Sequence, residues 1–96
     1  MAFTNSEIGF IANAVGCKMA VRLTTKYGNI VLKHIDSKKV IFSIYKRDDG
    51  IIIRRRLGYS RFGNGNVLNG GKAFPTLKLA MVYFKNYMEK YPKSLK

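Results

Sequence analysis

Several kinds of residue are scarce in this sequence: it has no tryptophan, two prolines and a single cysteine, Cys17. One cysteine cannot form an internal disulfide, and it excludes a zinc site built from several cysteines. A chain without disulfides suits a reducing compartment, so we expect a cytoplasmic protein. No stretch approaches the roughly 20 apolar residues of a membrane-spanning helix, and the opening MAFTNSEIGF lacks the features of a secretory signal, so we expect no membrane partner.

Negative charge is scarce as well. The 5 Asp and Glu residues stand against 18 Lys and Arg residues, which gives a formal net charge of +13. A compact chain with that charge repels itself, and such a surface usually serves to bind nucleic acid, an anionic membrane or an acidic protein. No acid lies between residues 50 and 88, where seven basic residues occur, so the second half of the chain is predicted to be the electropositive one.

The length of 96 residues and the apolar content of 47% predict one domain, residues 1–96, with a single core. Thr4 and Glu7 have the spacing of a capping box, and apolar residues follow at helical spacing as far as Gly16. A short first helix is therefore predicted there. A longer second helix is predicted for FPTLKLAMVYFKNYMEKYP, residues 74–92, with Pro75 in its first turn.

Four segments between these helices have the alternation or the β-branched composition of strands. They are CKMAVRLTT (17–25), IVLKHI (30–35), VIFSIYKR (40–47) and IIIRRRLGYSRF (51–62). Short turns separate them, so the simplest topology is an antiparallel meander. The predicted fold class is therefore α+β: a four-stranded antiparallel sheet with a short N-terminal helix and a longer C-terminal helix, both packed mainly on one face.

The most informative stretch is IIIRRRLGYSRFG, residues 51–63, where three arginines follow three isoleucines. Side chains alternate along a strand, so Arg54 and Arg56 are predicted to share one face and Arg55 to lie on the other. Guanidinium groups bind phosphates, and aromatic rings stack on unpaired bases. A solvated strand end is the plainer interpretation, but such surfaces normally mix both signs of charge. The predicted nucleic-acid-binding residues are Arg54, Arg55, Arg56, Tyr59, Arg61 and Lys72.

Enzyme motifs are weak in comparison. The glycine-rich loop GNGNVLNGG, residues 63–71, lacks the Gly-Lys-Ser/Thr ending of a P-loop and the spacing of a Rossmann fingerprint. His34 is the one histidine, and the sequence offers it no clear catalytic partners. We therefore expect a protein that is not an enzyme and has no cofactor or metal. A small basic ribonuclease toxin that cuts RNA with Arg, Lys and Tyr is the least favoured alternative.

A family resemblance also points to nucleic acid. The stretch KVIFSIYKRDDGIIIRRRLGYSRFGNGN, followed by KAFPTLKLAMVYFKNYMEKYPKS, resembles the strand–turn–strand, glycine-rich loop and long helix of WGR-type nucleic-acid-binding modules. It covers roughly the last three-fifths of the chain, with Leu-Gly-Tyr where the family has Trp-Gly-Arg. The layout is also similar to the sheet plus helix of recombinase arm-binding domains. Both resemblances imply nucleic-acid binding.

The expected function is non-enzymatic binding of RNA or DNA, mainly through phosphate contacts and with little sequence specificity. The alternative is a small inhibitor or adaptor, of the kind that viruses encode, which binds an acidic protein partner. Leu79, Val82 and Tyr83 widen the apolar stripe of the second helix beyond what one small sheet can cover. They predict a homodimer contact.

Overall fold

The structure is a computed structural model, and it describes residues 3–16, 19–23, 28–56 and 67–91. Its elements are α1 (Asn5–Val15), β1 (Met19–Leu23), β2 (Ile30–His34), β3 (Val40–Arg47), β4 (Gly50–Arg55), a 3-10 helix (Asn69–Gly71) and α2 (Leu77–Lys90). The four strands pair antiparallel in the order β1-β2-β3-β4. The predicted α+β meander with one helix at each end is confirmed.

Helix α1 begins with the capping box that the sequence predicts. The Thr4 hydroxyl accepts a hydrogen bond from the Glu7 N–H at 3.2 Å, and the Glu7 carboxylate accepts one from the Thr4 N–H at 2.8 Å. These reciprocal bonds satisfy two backbone donors that the first turn leaves without a helical partner. The helix is followed by Gly16, whose φ of 67° is a left-handed conformation that glycine adopts at little cost.

Helix α2 begins later than predicted. Thr76 is its N-cap, because the Thr76 hydroxyl accepts a hydrogen bond from the Leu79 N–H at 3.2 Å. Pro75 therefore precedes the helix, and the predicted start at Phe74 is wrong. The reason is a strand-like pairing: the Phe74 N–H and C=O both bond to the backbone of Ile51 at 2.8 Å, which holds this residue extended.

Strand β4 is shorter than predicted. It ends at Arg55, although the Arg56 N–H still donates to the Ile41 carbonyl at 2.6 Å. The remainder of the predicted strand, residues 57–62, lies outside the described residues. The outer edge of β4 is paired further along the chain, where the Leu68 N–H donates to the Ile53 carbonyl at 2.8 Å and the Leu68 side chain is buried. The described end of the glycine-rich loop is thus held against the sheet.

Both helices pack on the same face of the sheet. The Phe42 ring meets the Phe84 ring of α2 edge-on, with centroids 4.9 Å apart, and the Lys46 ammonium donates to the Glu7 carboxylate of α1 at 2.6 Å. Phe42 and Lys46 are an even number of residues apart on β3, so their side chains share a face. The buried sheet residues of this face are Ile30, Leu32, Phe42, Ile44, Ile51 and Ile53. Among the described residues, no helix is long and apolar enough to cross a membrane.

Candidate nucleic-acid interface

The other face of the sheet has no helix packed on it within the described part of the chain, and we call it the helix-free face. Cross-strand pairing sets Arg22 opposite Val31, Val31 opposite Ser43, and Ser43 opposite Arg54, so these side chains form one row across all four strands. The same parity adds the pairs Ala20 with Lys33 and Tyr45 with Ile52. The helix-free face comprises Ala20, Arg22, Val31, Lys33, Ile41, Ser43, Tyr45, Arg47, Ile52, Arg54 and Arg56. Of these, Ile41, Ser43 and Ile52 are buried.

Positive charge dominates this face. Its cationic members are Arg22, Lys33, Arg47, Arg54 and Arg56; Arg22 and Arg47 are exposed and the other three are partly exposed. Arg47 forms an ion pair with Asp49. Adjacent strands are about 4.8 Å apart, so the row places the backbones of Arg22 and Arg54 about 14 Å from each other. All five acids of the chain are among the described residues, and none lies on this face: Glu7 and Glu89 are on the helices and Asp36, Asp48 and Asp49 are in turns.

Arg54 and Arg56 are oriented by hydroxyl groups on β3. Arg54 Nη2 lies 3.5 Å from the Tyr45 hydroxyl oxygen, and Arg56 Nη1 lies 3.5 Å from the Ser43 hydroxyl oxygen. Bonds of this length are weak, so they guide the guanidinium groups rather than fix them. A guanidinium has five N–H donors in a planar fork, and that fork matches the oxygens of a phosphate.

Two of the five acids, Glu7 and Asp49, form ion pairs with the end of β3 near the β3–β4 turn. The Asp49 carboxylate accepts hydrogen bonds from the Arg47 guanidinium at 2.6 and 3.0 Å, and this interaction holds the pKa of Asp49 below its usual value. The Glu7 carboxylate accepts from Lys46, and mainly for that reason the pKa of Glu7 is also lowered. These two carboxylates stay charged and are paired with Lys46 and Arg47, of which Arg47 lies on the helix-free face.

The structure brings together two of the six predicted binding residues, Arg54 and Arg56. Arg55 lies on the opposite face, because it pairs with Phe42 on the side that the helices cover. Lys72 is exposed in the segment along the outer edge of β4, where its N–H donates to the Asn69 carbonyl at 3.1 Å. Two further predicted residues, Tyr59 and Arg61, lie outside the described residues.

Sequence reasoning missed three members of this surface: Arg22, Lys33 and Tyr45. The alternation of side chains along β1 and β2 already places Arg22 and Lys33 on the face opposite the apolar side chains of those strands. What the sequence does not state is the register between strands, and the register aligns Arg22 with Arg54 in one row. Pairing the predicted strands as a meander, and counting the residues in each turn, would have placed these three residues on the same face as Arg54.

His34 takes part in a turn rather than in a catalytic arrangement. Its Nδ1 accepts a hydrogen bond from the Ser37 N–H at 3.1 Å, which closes the β2–β3 connection. Within the part of the chain that the structure describes, no group of three or more His, Cys, Asp or Glu side chains could hold a metal ion. The residues that could contact a ligand are therefore donors and aromatic rings.

Comparisons with known proteins add no assignment. Neither protein-family models, nor curated proteins, nor solved structures gave a match to this chain. The resemblance to WGR-type modules and to recombinase arm-binding domains stays a prediction, and the case for function comes from the charges and side chains described above.

Proposed function

We propose that this protein binds nucleic acid through the helix-free face, by phosphate contacts with little sequence specificity and without enzymatic activity. The observation that carries the proposal is that one sheet face holds Arg22, Lys33, Arg54 and Arg56 in addition to Arg47, which pairs with Asp49. A surface of one sign attracts an oppositely charged polymer over a distance and binds it by releasing counterions. The proposal includes RNA and DNA alike, because the phosphate backbone is common to both, and it includes a cytoplasmic location.

The geometry of Arg54 and Arg56 supports contact with one strand of nucleic acid. They are two residues apart along an extended backbone, which separates them by about 6.8 Å. Two guanidinium groups at that separation reach neighbouring phosphates together, whereas Arg55 points to the helix-covered side. Tyr45 lies beside Arg54 on the same face and offers a ring to a base or sugar.

The test compares two variants that remove the same charge from different places. Arg54→Gln combined with Arg56→Gln changes the helix-free face, while Lys78→Gln combined with Lys85→Gln changes two exposed lysines of α2. We expect the arginine variant to lose about tenfold or more in affinity for a duplex oligonucleotide, because charge-assisted hydrogen bonds contribute about 1.5–3 kcal/mol each. The lysine variant should lose much less.

Affinity is measured by titration at one fixed salt concentration, and a thermal melt shows that each variant is folded. Equal losses in the two variants would mean that binding depends on net charge alone, and the assignment to the helix-free face would be wrong. A folded arginine variant that binds as tightly as the parent would show that the triplet is a solvated strand end.

A second proposal concerns the partner of α2. Leu79 and Val82 are 53% and 51% exposed, and Tyr83 is 36% exposed, so three large apolar side chains lie side by side on solvent-facing positions. We propose that they form a homodimer contact.

The alternative function, binding of an acidic protein partner, would use the helix-free face. It predicts that purified protein carries no nucleic acid and that nuclease treatment leaves its ultraviolet spectrum unchanged.

A further inference from the structure

A groove beside α2 lies on the helix-covered side of the sheet, away from the helix-free face. Tyr83, Asn86, Tyr87, Lys90 and Tyr91 line it, and its volume is about 270 Å³. Tyr83 and Tyr87 are four residues apart and lie on one side of the helix, and Tyr91 is the residue that follows its last turn. The Tyr87 and Tyr91 rings are 4.9 Å apart between centroids and inclined by 49°, and the Lys90 ammonium lies 5.5 Å from the centre of the Tyr91 ring.

This groove is only partly a support for the core. Tyr87 is half-buried, and its ring contacts the Phe42 ring edge-on with centroids 6.1 Å apart, which fixes the floor of the groove to the sheet. Tyr91 is 47% exposed and Tyr83 is 36% exposed, so much of their ring surface faces solvent. A helix that only had to cover the sheet would not need exposed aromatic rings on both sides of Tyr87.

Arg55 lies on the same side of the sheet as this groove, although it is not one of the lining residues. It is the cross-strand partner of Phe42, on the face where Tyr87 contacts Phe42. Directly opposite residues have Cβ atoms about 4.5–5.5 Å apart, so Arg55 emerges on the groove side of the sheet. Arg54 lies on the helix-free face, and the end of β4 therefore presents positive charge to both surfaces.

We infer that the tyrosine groove binds an unpaired nucleobase of a single-stranded nucleic acid. This inference rests on the proposed function and adds to it a class of ligand, a strand with accessible bases. Aromatic rings stack on the face of any base, the Asn86 amide offers a donor and an acceptor to a base edge, and Lys90 and Arg55 supply charge for the backbone. Glu89, the one acid of α2, is not among the lining residues.

The experiment compares a single-stranded oligonucleotide of about ten nucleotides with an abasic backbone of the same length, because both carry the same phosphates and only one carries bases. We expect the parent to bind the base-containing strand about tenfold more tightly. Tyr91→Leu should remove that advantage, whereas Tyr91→Phe, which keeps the ring, should retain it. The chain has no tryptophan and six tyrosines, so the part of the tyrosine quenching that Tyr91→Leu removes is the part that reports stacking in the groove.

Three results would overturn the inference. If the parent binds both ligands equally and with strong salt dependence, the groove binds no base although the phosphate model stands. If neither ligand binds, the proposed function fails and this inference fails with it. If Tyr91→Leu lowers the mass by light scattering but leaves the preference for bases unchanged, the groove is an interface between two copies of the chain. Thermal melts of both Tyr91 variants show that they are folded.

Discussion

At Gly50 the backbone leaves no room for a side chain. This glycine begins β4 with a φ of 139°, and a β-carbon there would overlap the carbonyl group of Phe74. That carbonyl accepts a hydrogen bond from the Ile51 N–H at 2.8 Å, so it cannot move without breaking the pairing between β4 and the segment before α2. The glycine therefore allows the β3–β4 hairpin and the start of α2 to meet.

We predict that Gly50→Ala lowers the free energy of unfolding by about 2 kcal/mol or more, through backbone strain together with the overlap. The matched control is Gly70→Ala, which has a φ of 62° but open space around the β-carbon position. It should cost about 1–2 kcal/mol, from strain alone. Urea unfolding measures both values, and equal losses would show that the contact with Phe74 is not restrictive.

For single residues, the predictions from the sequence were correct where the role of a residue depends on residues close to it in the chain. The capping box of Thr4 and Glu7 and the split of the arginine triplet between two faces depend only on helical and strand spacing. Tyr91 falls within the predicted second helix, residues 74–92, yet the helix ends at Lys90 and Tyr91 is exposed. Spacing identifies one side of a helix, but it does not show how far along the helix the sheet extends.

Helix α1 has a charged contact with the sheet. Its Glu7 carboxylate accepts from the Lys46 ammonium of β3 at 2.6 Å, and the same ammonium lies 5.2 Å from the centre of the Phe3 ring. The hydrogen bond from Lys46, followed by that from the Thr4 N–H, lowers the pKa of Glu7 in the folded protein. A lowered folded-state pKa contributes stability at pH values above the unfolded pKa, and that stability is lost as the pH falls through the folded pKa.

We predict that Glu7→Gln lowers the free energy of unfolding at neutral pH by about 0.2–1 kcal/mol, the range for a solvent-accessible ion pair. Glutamine can still bond to the Thr4 N–H, so the capping box is kept and the charge is removed. The difference from the parent should shrink as the pH falls through the folded pKa of Glu7. Urea unfolding at neutral and acidic pH tests this, and a difference that is constant with pH would contradict the role of the ion pair.

The exposed apolar side chains of α2 predict that the protein forms a homodimer. Leu79→Lys combined with Val82→Lys should convert a dimer into a monomer, because burying an ammonium in an apolar contact is costly. Ile35→Lys, at an exposed apolar residue of the β2–β3 turn, is the control and should leave the mass unchanged. Light scattering at high protein concentration measures all three proteins, and a monomeric parent would rule out the dimer.

Element boundaries were predicted where turn residues mark them and missed where tertiary pairing decides them. The bounds of β3 agree with the prediction, since turn residues flank that strand on both sides. The late start of α2 and the segment paired with β4 follow from backbone bonds between Ile51 and Phe74 and between Ile53 and Leu68. Such bonds join residues that are distant in the sequence, and no local pattern encodes them.

For the molecule as a whole, the main feature is that both helices pack on one side of the sheet, while most of the cations of the strands lie on the other. One side carries the helices and the core, and the other carries Arg22, Lys33, Arg54 and Arg56. The net charge of +13 predicts a basic surface, but composition alone does not show where on the fold that surface lies. The location of this basic surface depends on the strand register and on which side of the sheet the two helices cover.

The most direct test of the phosphate-binding model is the salt dependence of duplex affinity. Each phosphate contacted contributes a slope of about −0.9 in log affinity against log salt, so the four cations of the helix-free face other than Arg47 predict about −3.5. Arg54→Gln combined with Arg56→Gln should make the slope shallower by about 1.8. An affinity that does not change with salt, or a slope that is the same in this variant as in the parent, would contradict the model.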